Sequence, residues 1–206
     1  MKESHDYDFI VIGSGFGGSV SACRLSEKGY KVAVLEMGKR WKPEDFPKTN
    51  WNLKRYFWVP LFRCFGFFRL SLFRHAWVLS GVGVGGGSLV YANVLLEPDA
   101  KVWQDPAWKD LEDWKSVMPS FYQRARTMLG AEENPNLGPA DRMLKESAEA
   151  EKLGDSFKKT TVGVFFGNPG ETVSDPYFGG QGPDRTGCKL CGGCMVGCRH
   201  RAKNSL

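Results

Sequence analysis

The sequence has no apolar run long enough to cross a membrane, no long basic block, no internal repeat and no low-complexity linker. Its densest aromatic stretch, residues 51–79, is broken by Pro60 and by Lys54, Arg55, Arg63, Arg69 and Arg74. A spanning helix needs about 20 mostly apolar residues, so no transmembrane span is expected. A net charge of +5 without a basic block gives no reason to expect nucleic acid as a partner. The N-terminal lead "MKESHDYDFIVIG" lacks the charged start, apolar middle and small-residue cleavage site of a signal peptide. Six cysteines in that setting read as thiols or metal ligands of a reducing compartment, and a cytoplasmic location is the expectation. Histidine is scarce: only His5, His75 and His200, none in a catalytic motif, so no catalytic residue is assigned.

What remains is globular in composition, with 42% hydrophobic and 25% charged residues, and rich in glycine. The 25 glycines gather in three clusters, which points to places where backbone approaches a ligand closely. The first follows a β-branched apolar run, Asp6 to Ile12, read as a buried parallel strand. Gly13-Ser14-Gly15-Phe16-Gly17-Gly18 comes next, then an amphipathic helix to Lys28 closed by Gly29, then a second strand from Lys31 to Leu35 that ends at Glu36. Strand, glycine turn, helix, strand and acid in this order form a dinucleotide-binding unit. Gly13 allows the tight turn, Gly15 the approach of a pyrophosphate, and Gly18 close helix–strand packing. Free N–H groups at the helix start favour the phosphates. Glu36 is placed to accept a ribose hydroxyl and would repel a 2′-phosphate, which disfavours NADP. Cys23, within the helix, reads as a small core residue.

The second cluster, "LSGVGVGGGSLVYANVLLEP" at residues 79–98, holds Gly81, Gly83, Gly85, Gly86 and Gly87. A dinucleotide motif followed some sixty residues later by "GVGVGGGS" resembles the glucose–methanol–choline (GMC) flavin oxidoreductases, and their bacterial cholesterol-oxidase-like branch in particular. The likeness extends to "KNSL" at residues 203–206. It implies non-covalent FAD, held on its ADP half by Gly13, Ser14, Gly15, Phe16, Gly17, Gly18 and Glu36. Gly81, Gly83, Gly85, Gly86, Gly87 and Ser88 would approach the pyrophosphate and flavin. The family often carries Asn three residues beyond that serine; this chain has Tyr91 there, and Asn93 stands as its substitute. No histidine in the loop matches the one that some members join covalently to flavin.

The fold class so implied is α/β, a Rossmann-like FAD-binding βαβ unit with an incomplete parallel sheet, plus part of an α+β substrate domain. The expected division is residues 1–98 for FAD, 99–187 for the cap or substrate segment, and 188–206 for a cysteine-rich segment. The family's activity is oxidation of a CH–OH group by hydride transfer to flavin, here on an apolar sterol or lipid alcohol, with oxygen or a redox partner as acceptor. The family's catalytic residues lie beyond "KNSL", so the chain reads as the N-terminal part of a larger enzyme, inactive alone. The aromatic stretch has three readings: core packed on the sheet, a lid over an apolar entrance, or a peripheral lipid contact. Helices are expected over 116–130 and 139–153, and a strand over 161–166.

Cys188, Cys191, Cys194 and Cys198 follow the C-x2-C-x2-C-x3-C spacing of ferredoxins. Arg199 replaces the usual proline, and there is no second cysteine ladder, so a single [4Fe–4S] cluster would need Cys198 drawn inward or a thiol such as Cys64. A cluster, a structural zinc and an unmetallated loop all stay open. The alternative function is accordingly an iron–sulfur or zinc-binding module for electron transfer or structure, acting with a partner.

Overall fold

Strands β1 (Phe9–Ile12) and β2 (Val32–Leu35) pair in parallel, with Phe9 opposite Val32 and Ile12 opposite Leu35. The computed structural model describes residues 5–206, and the first four residues of the polar lead lie outside the described residues. Both strands are shorter than the sequence pattern suggests. At the end of the pair the Asp8 carboxylate accepts the Lys31 N–H at 2.8 Å, while the Asp8 N–H donates to the Lys31 carbonyl at 2.9 Å. Helix α1 (Phe16–Glu27) links them and ends as its residues dictate. Gly29 turns left-handed at φ +89°, its N–H donates to the Ser26 carbonyl, and the Tyr30 N–H reaches back to Leu25.

The aromatic stretch resolves into helix α2 (Leu53–Tyr56) and two hairpins. Strands β3 (Trp58–Val59) and β4 (Cys64–Phe65) make the first, and β5 (Phe68–Leu72) with β6 (Trp77–Gly81) the second. Their bases are core. Phe67, fully buried, has Phe68, Tyr56, Phe46 and Trp41 around it at ring-centroid distances of 4.7, 5.1, 5.2 and 5.4 Å. Leu89 and Val90, just after the second glycine cluster, complete this core, so it anchors the cluster from behind.

Helix α3 (Trp114–Met128) starts two residues earlier than expected and carries Pro119 inside it. Helix α4 (Pro139–Ala150) opens on its proline, with the Asp141 carboxylate accepting the Gly138 N–H at 2.7 Å, and ends three residues short of expectation. Strand β7 (Glu132–Glu133) pairs with β8 (Thr161–Val162), and β9 (Thr172–Val173) with β10 (Arg185–Thr186). The strand expected over 161–166 keeps only its first two residues in a ladder. Beyond them the partner changes at each step: the Gly163 N–H donates to the Asn93 carbonyl at 2.8 Å, and Val164 bridges to Lys203. Those bonds lay residues 202–206 beside the second glycine cluster. A small second core of Val162, Val164 and Ala202 seals this junction. The architecture is α/β with a Rossmann-like parallel pair at its start. Among the described residues no helix is long and apolar enough to cross a membrane.

Candidate functional site

The two glycine clusters, some seventy residues apart in sequence, meet in space. A side chain on Gly86 would stand 2.8 Å from the Gly15 Cα, and one on Gly18 would run into the Gly13 carbonyl. Gly13, Gly83, Gly85 and Gly86 all have left-handed φ, the last three at +137°, +99° and +51°. These positions need glycine for conformation as well as for space. Gly15 caps α1 from an extended conformation, Gly17 faces open space, and a side chain on Gly87 would stand 3.9 Å from the Phe16 ring. Gly81 packs on the Gly86 carbonyl.

Glu36 and Ser14 bind the clusters together. Glu36 Oε2 accepts the Ser14 N–H at 3.0 Å and its hydroxyl at 2.7 Å, while Oε1 accepts the Gly38 N–H at 3.0 Å. The Ser14 hydroxyl in turn accepts the Gly85 N–H at 3.2 Å. Burial alone pushes the Glu36 carboxyl up, but the donors from Gly38, Ser14 and Gly83 outweigh it and hold the group below its ordinary range. An ionised carboxylate therefore stands at the mouth of the first glycine turn.

Residues 203–206 close the back of the second cluster. Ser88 is fully buried; its hydroxyl donates to the Gly85 carbonyl at 2.7 Å and accepts the Leu206 N–H at 3.0 Å, so it locks the loop from inside. Tyr91 stands edge-on to Phe16 at 5.6 Å and donates its hydroxyl to the Asn204 carbonyl at 3.1 Å. Burial, with the Cys194 thiol nearby, pushes that hydroxyl up to about 12. Lys203 is buried with its ammonium 4.5 Å above the Tyr91 ring, donating to the carbonyls of Tyr91 and Cys194, both at 2.9 Å. Burial pulls Lys203 down to about 8 against the opposing pull of the Cys194 and Cys198 thiols.

A cavity of about 490 Å³ opens beside this assembly, walled by Trp41, Val84, Leu89 and Leu206. Five cations, Arg40, Lys42, Arg185, Arg201 and Lys203, line it against the single carboxylate of Asp184. Sequence reasoning had no role for any of these five, because they come from three distant segments and share no motif. "KNSL" was the one signal available.

Asn93 lies elsewhere. It is buried at φ +67°, with its side-chain oxygen lacking a hydrogen-bond partner, on the wall of a second cavity of about 270 Å³. Cys188, Cys191, Cys194 and Cys198 line that same cavity. The metal expectation gains no support here. Among the described residues no group of three or more His, Cys, Asp or Glu is arranged to hold a metal ion. Cys188 and Cys198 pack on the Val162, Val164 and Ala202 core, Cys191 is exposed, and the Cys188 sulfur accepts the Leu190 N–H at 3.4 Å. Cys64 sits in β4, its thiol donating to the Phe62 carbonyl, and does not line that cavity. As they stand, the four thiols share one cavity but form no ready-made site for a [4Fe–4S] cluster or a zinc ion.

A family profile described as an NAD(P)-binding Rossmann-like domain matches residues 11–41. A cholesterol oxidase of Acinetobacter baumannii is 55% identical over 207 residues, covering 98% of this chain and 37% of that protein. A cholesterol oxidase of Mycobacterium tuberculosis is 52% identical over 206 residues, again across 98% of this chain and 36% of the relative. An uncharacterized GMC-type oxidoreductase of the same species is 35% identical over 115 residues, 52% of this chain. The chain thus spans little more than a third of the length of the first two relatives. With the joined glycine clusters, the ionised acid and this identity across nearly the whole sequence, the chain belongs to the GMC oxidoreductase family, in its cholesterol-oxidase-like branch.

Proposed function

We propose that the chain builds the cofactor cradle of an FAD-dependent oxidoreductase that oxidises the CH–OH group of an apolar alcohol, a sterol or a lipid alcohol. The observation that carries this reading is the meeting of the two glycine clusters around the Glu36 carboxylate. Gly13, Gly15 and the start of α1 present bare backbone for a pyrophosphate, and Glu36 offers an acceptor for the adenosine ribose. Gly85, Gly86 and Gly87 keep side chains away from the flavin end. The cationic wall of the larger cavity favours a diphosphate over a neutral ligand. Bound FAD supplies the hydride acceptor; this chain's residues bind and orient it. Residues 1–98 form the FAD-binding part, 99–187 belong to the substrate side, and 188–206 brace the cradle from behind. Oxygen or a redox partner takes the electrons onward. The substrate class rests on the cholesterol oxidases that the chain resembles.

Titration with FAD, NAD and NADP, followed by gel filtration and absorbance, tests the cofactor. FAD alone should be retained, without a covalent link after denaturation. Retention of NADP, or of no nucleotide, would remove the cradle. The substrate is tested on a protein of the relatives' full length, where turnover of sugars or choline but not of sterols or long-chain alcohols would overturn the apolar assignment.

A further inference from the structure

The thiols of the smaller cavity hold reactive chemistry that the cofactor cradle does not use. Cys188, Cys191, Cys194 and Cys198 line that cavity, and all four are free. Burial pushes the Cys188 thiol up, and the Cys194, Cys191 and Cys198 thiols push it further, so those three stand within electrostatic reach of it. Cys188 and Cys198 are packed on the Val162, Val164 and Ala202 core; Cys191 is exposed, and neither it nor Cys194 belongs to that core. Gly192 turns left-handed at φ +69° between these last two. A side chain on Gly193 would stand 3.6 Å from the Cys191 sulfur, so that sulfur folds over toward Cys194. From Arg185 to Leu206 the sequence has five Lys or Arg and no Asp or Glu. Such a field favours the thiolate, the form of a cysteine that attacks an oxidant.

Cys194 is also tied to the cradle. Its carbonyl accepts the Lys203 ammonium at 2.9 Å, and the same ammonium holds the Tyr91 carbonyl. Three residues on, the Leu206 N–H donates to the Ser88 hydroxyl that locks the second glycine cluster. We propose that Cys191 and Cys194 are a peroxide-reactive dithiol, whose oxidation to a disulfide loosens residues 203–206 behind that cluster. The Cys191 sulfur attacks one oxygen of hydrogen peroxide: the S–O bond forms, the O–O bond breaks, and the leaving hydroxide takes the thiol proton and departs as water. The Cys194 sulfur then attacks the Cys191 sulfur: the S–S bond forms, the S–O bond breaks, and a second water leaves with the Cys194 proton. Two thiols lose two electrons, and the peroxide is reduced to two waters. A small dithiol reverses the change. Closing the disulfide pulls Cys194 toward Cys191 and swings its carbonyl, so the bond to Lys203 is the one that gives. The proposal rests on the cofactor reading only for the source of oxidant, since an oxidase that passes electrons to oxygen releases hydrogen peroxide beside its own cradle.

The full chain, without FAD, is treated with hydrogen peroxide and followed by mass spectrometry and amide hydrogen exchange. It should lose two hydrogens and regain them with dithiothreitol. Cys191→Ser should abolish that loss, and Cys194→Ser should leave a sulfenic acid on Cys191 that dimedone traps. Cys64→Ser should change nothing. Oxidation should speed exchange over residues 85–90 and at Leu206 by roughly tenfold, and Cys191→Ser should not respond. Cys191 is exposed, so circular dichroism of its variant should match the wild type. A disulfide that persists in Cys191→Ser, a disulfide that leaves exchange unchanged, or iron or zinc retained by chain prepared without air would each overturn the proposal. Because the peroxide is added and no flavin is present, its failure is separable from failure of the cofactor reading.

Discussion

Two polar side chains, half-buried Glu36 and buried Lys203, carry the site's chemistry, and each makes a measurable prediction. Glu36 has room for about four hydrogen bonds; Ser14 with Gly38 supplies three donors, and the Gly83 N–H also faces the carboxylate. A ribose hydroxyl must displace the Gly83 N–H or the Ser14 hydroxyl. Glu36→Ala removes charge-assisted bonds worth about 1.5–3 kcal/mol, a loss of roughly ten- to hundredfold in FAD affinity. Ser14→Ala leaves the carboxylate free for ribose and loses only the link to Gly85, so its effect should stay near tenfold or less, about 0.5–1.5 kcal/mol. Equal losses in both, read by flavin fluorescence titration, would mean that Glu36 only braces the loop. Lys203 answers to pH instead. Its folded pKa of about 8 lies below the ordinary 10.5, so between those values the unfolded chain holds more proton than the folded one. Stability from this group therefore rises with pH across that window, by about 3 kcal/mol, and is flat below it. Deprotonation costs no partner, because a neutral amine still has two N–H groups for the Tyr91 and Cys194 carbonyls. Urea unfolding of wild type and Lys203→Met over this range should show their difference moving in favour of wild type; a constant difference would place the Lys203 pKa at its ordinary value.

At the scale of elements, the join of α1 to β1 is the most constrained. A methyl on Gly18 collides with the Gly13 carbonyl, and neither can yield without moving the glycine turn. Gly18→Ala should destabilise by about 2–3 kcal/mol and abolish FAD retention, whereas Gly17→Ala, which meets nothing within 4 Å, should do neither. This unit was legible in the sequence because its constraints are local: strand period, glycine spacing and a left-handed cap at Gly29 each leave a mark within a few residues. The hairpins left no such mark. The turn at Phe73, Arg74, His75 and Ala76 has no Gly, Pro or Asn, and Arg63 takes φ +54° without a glycine. The segment over 161–166 reads as one strand because its side chains are β-branched and apolar, yet its backbone is divided among Asn93, Lys203 and the β7 strand. The cysteine ladder meets a related limit. Spacing along the chain says how far apart thiols can be, not which way they point, and two of the four are claimed by an apolar core formed from other segments.

The whole molecule carries apolar surface that its own residues do not cover. A parallel sheet normally has both faces covered, but β1 and β2 form a pair with α1 against it, and Ile10 and Ile12 are 64% and 86% exposed. Between α1 and α3 an open apolar cavity of about 490 Å³ is lined by Phe16, Val20, Phe121 and Met128. The uncovered strand face and the groove each expose apolar surface that water disfavours, and β1 has a ladder partner along one edge alone among the described residues. The chain on its own should therefore bind the dye ANS strongly and associate as its concentration rises. That association runs through β1 rather than the hairpin tips, so Ile10→Lys should suppress it while Trp77→Ser should not. Ile10 is exposed, so the lysine can reach water without strain, and the register with Ala33 should survive. Light scattering over a concentration series, with ANS emission on the same samples, separates the cases. A monodisperse wild-type monomer with weak ANS emission would show that the chain covers this face itself.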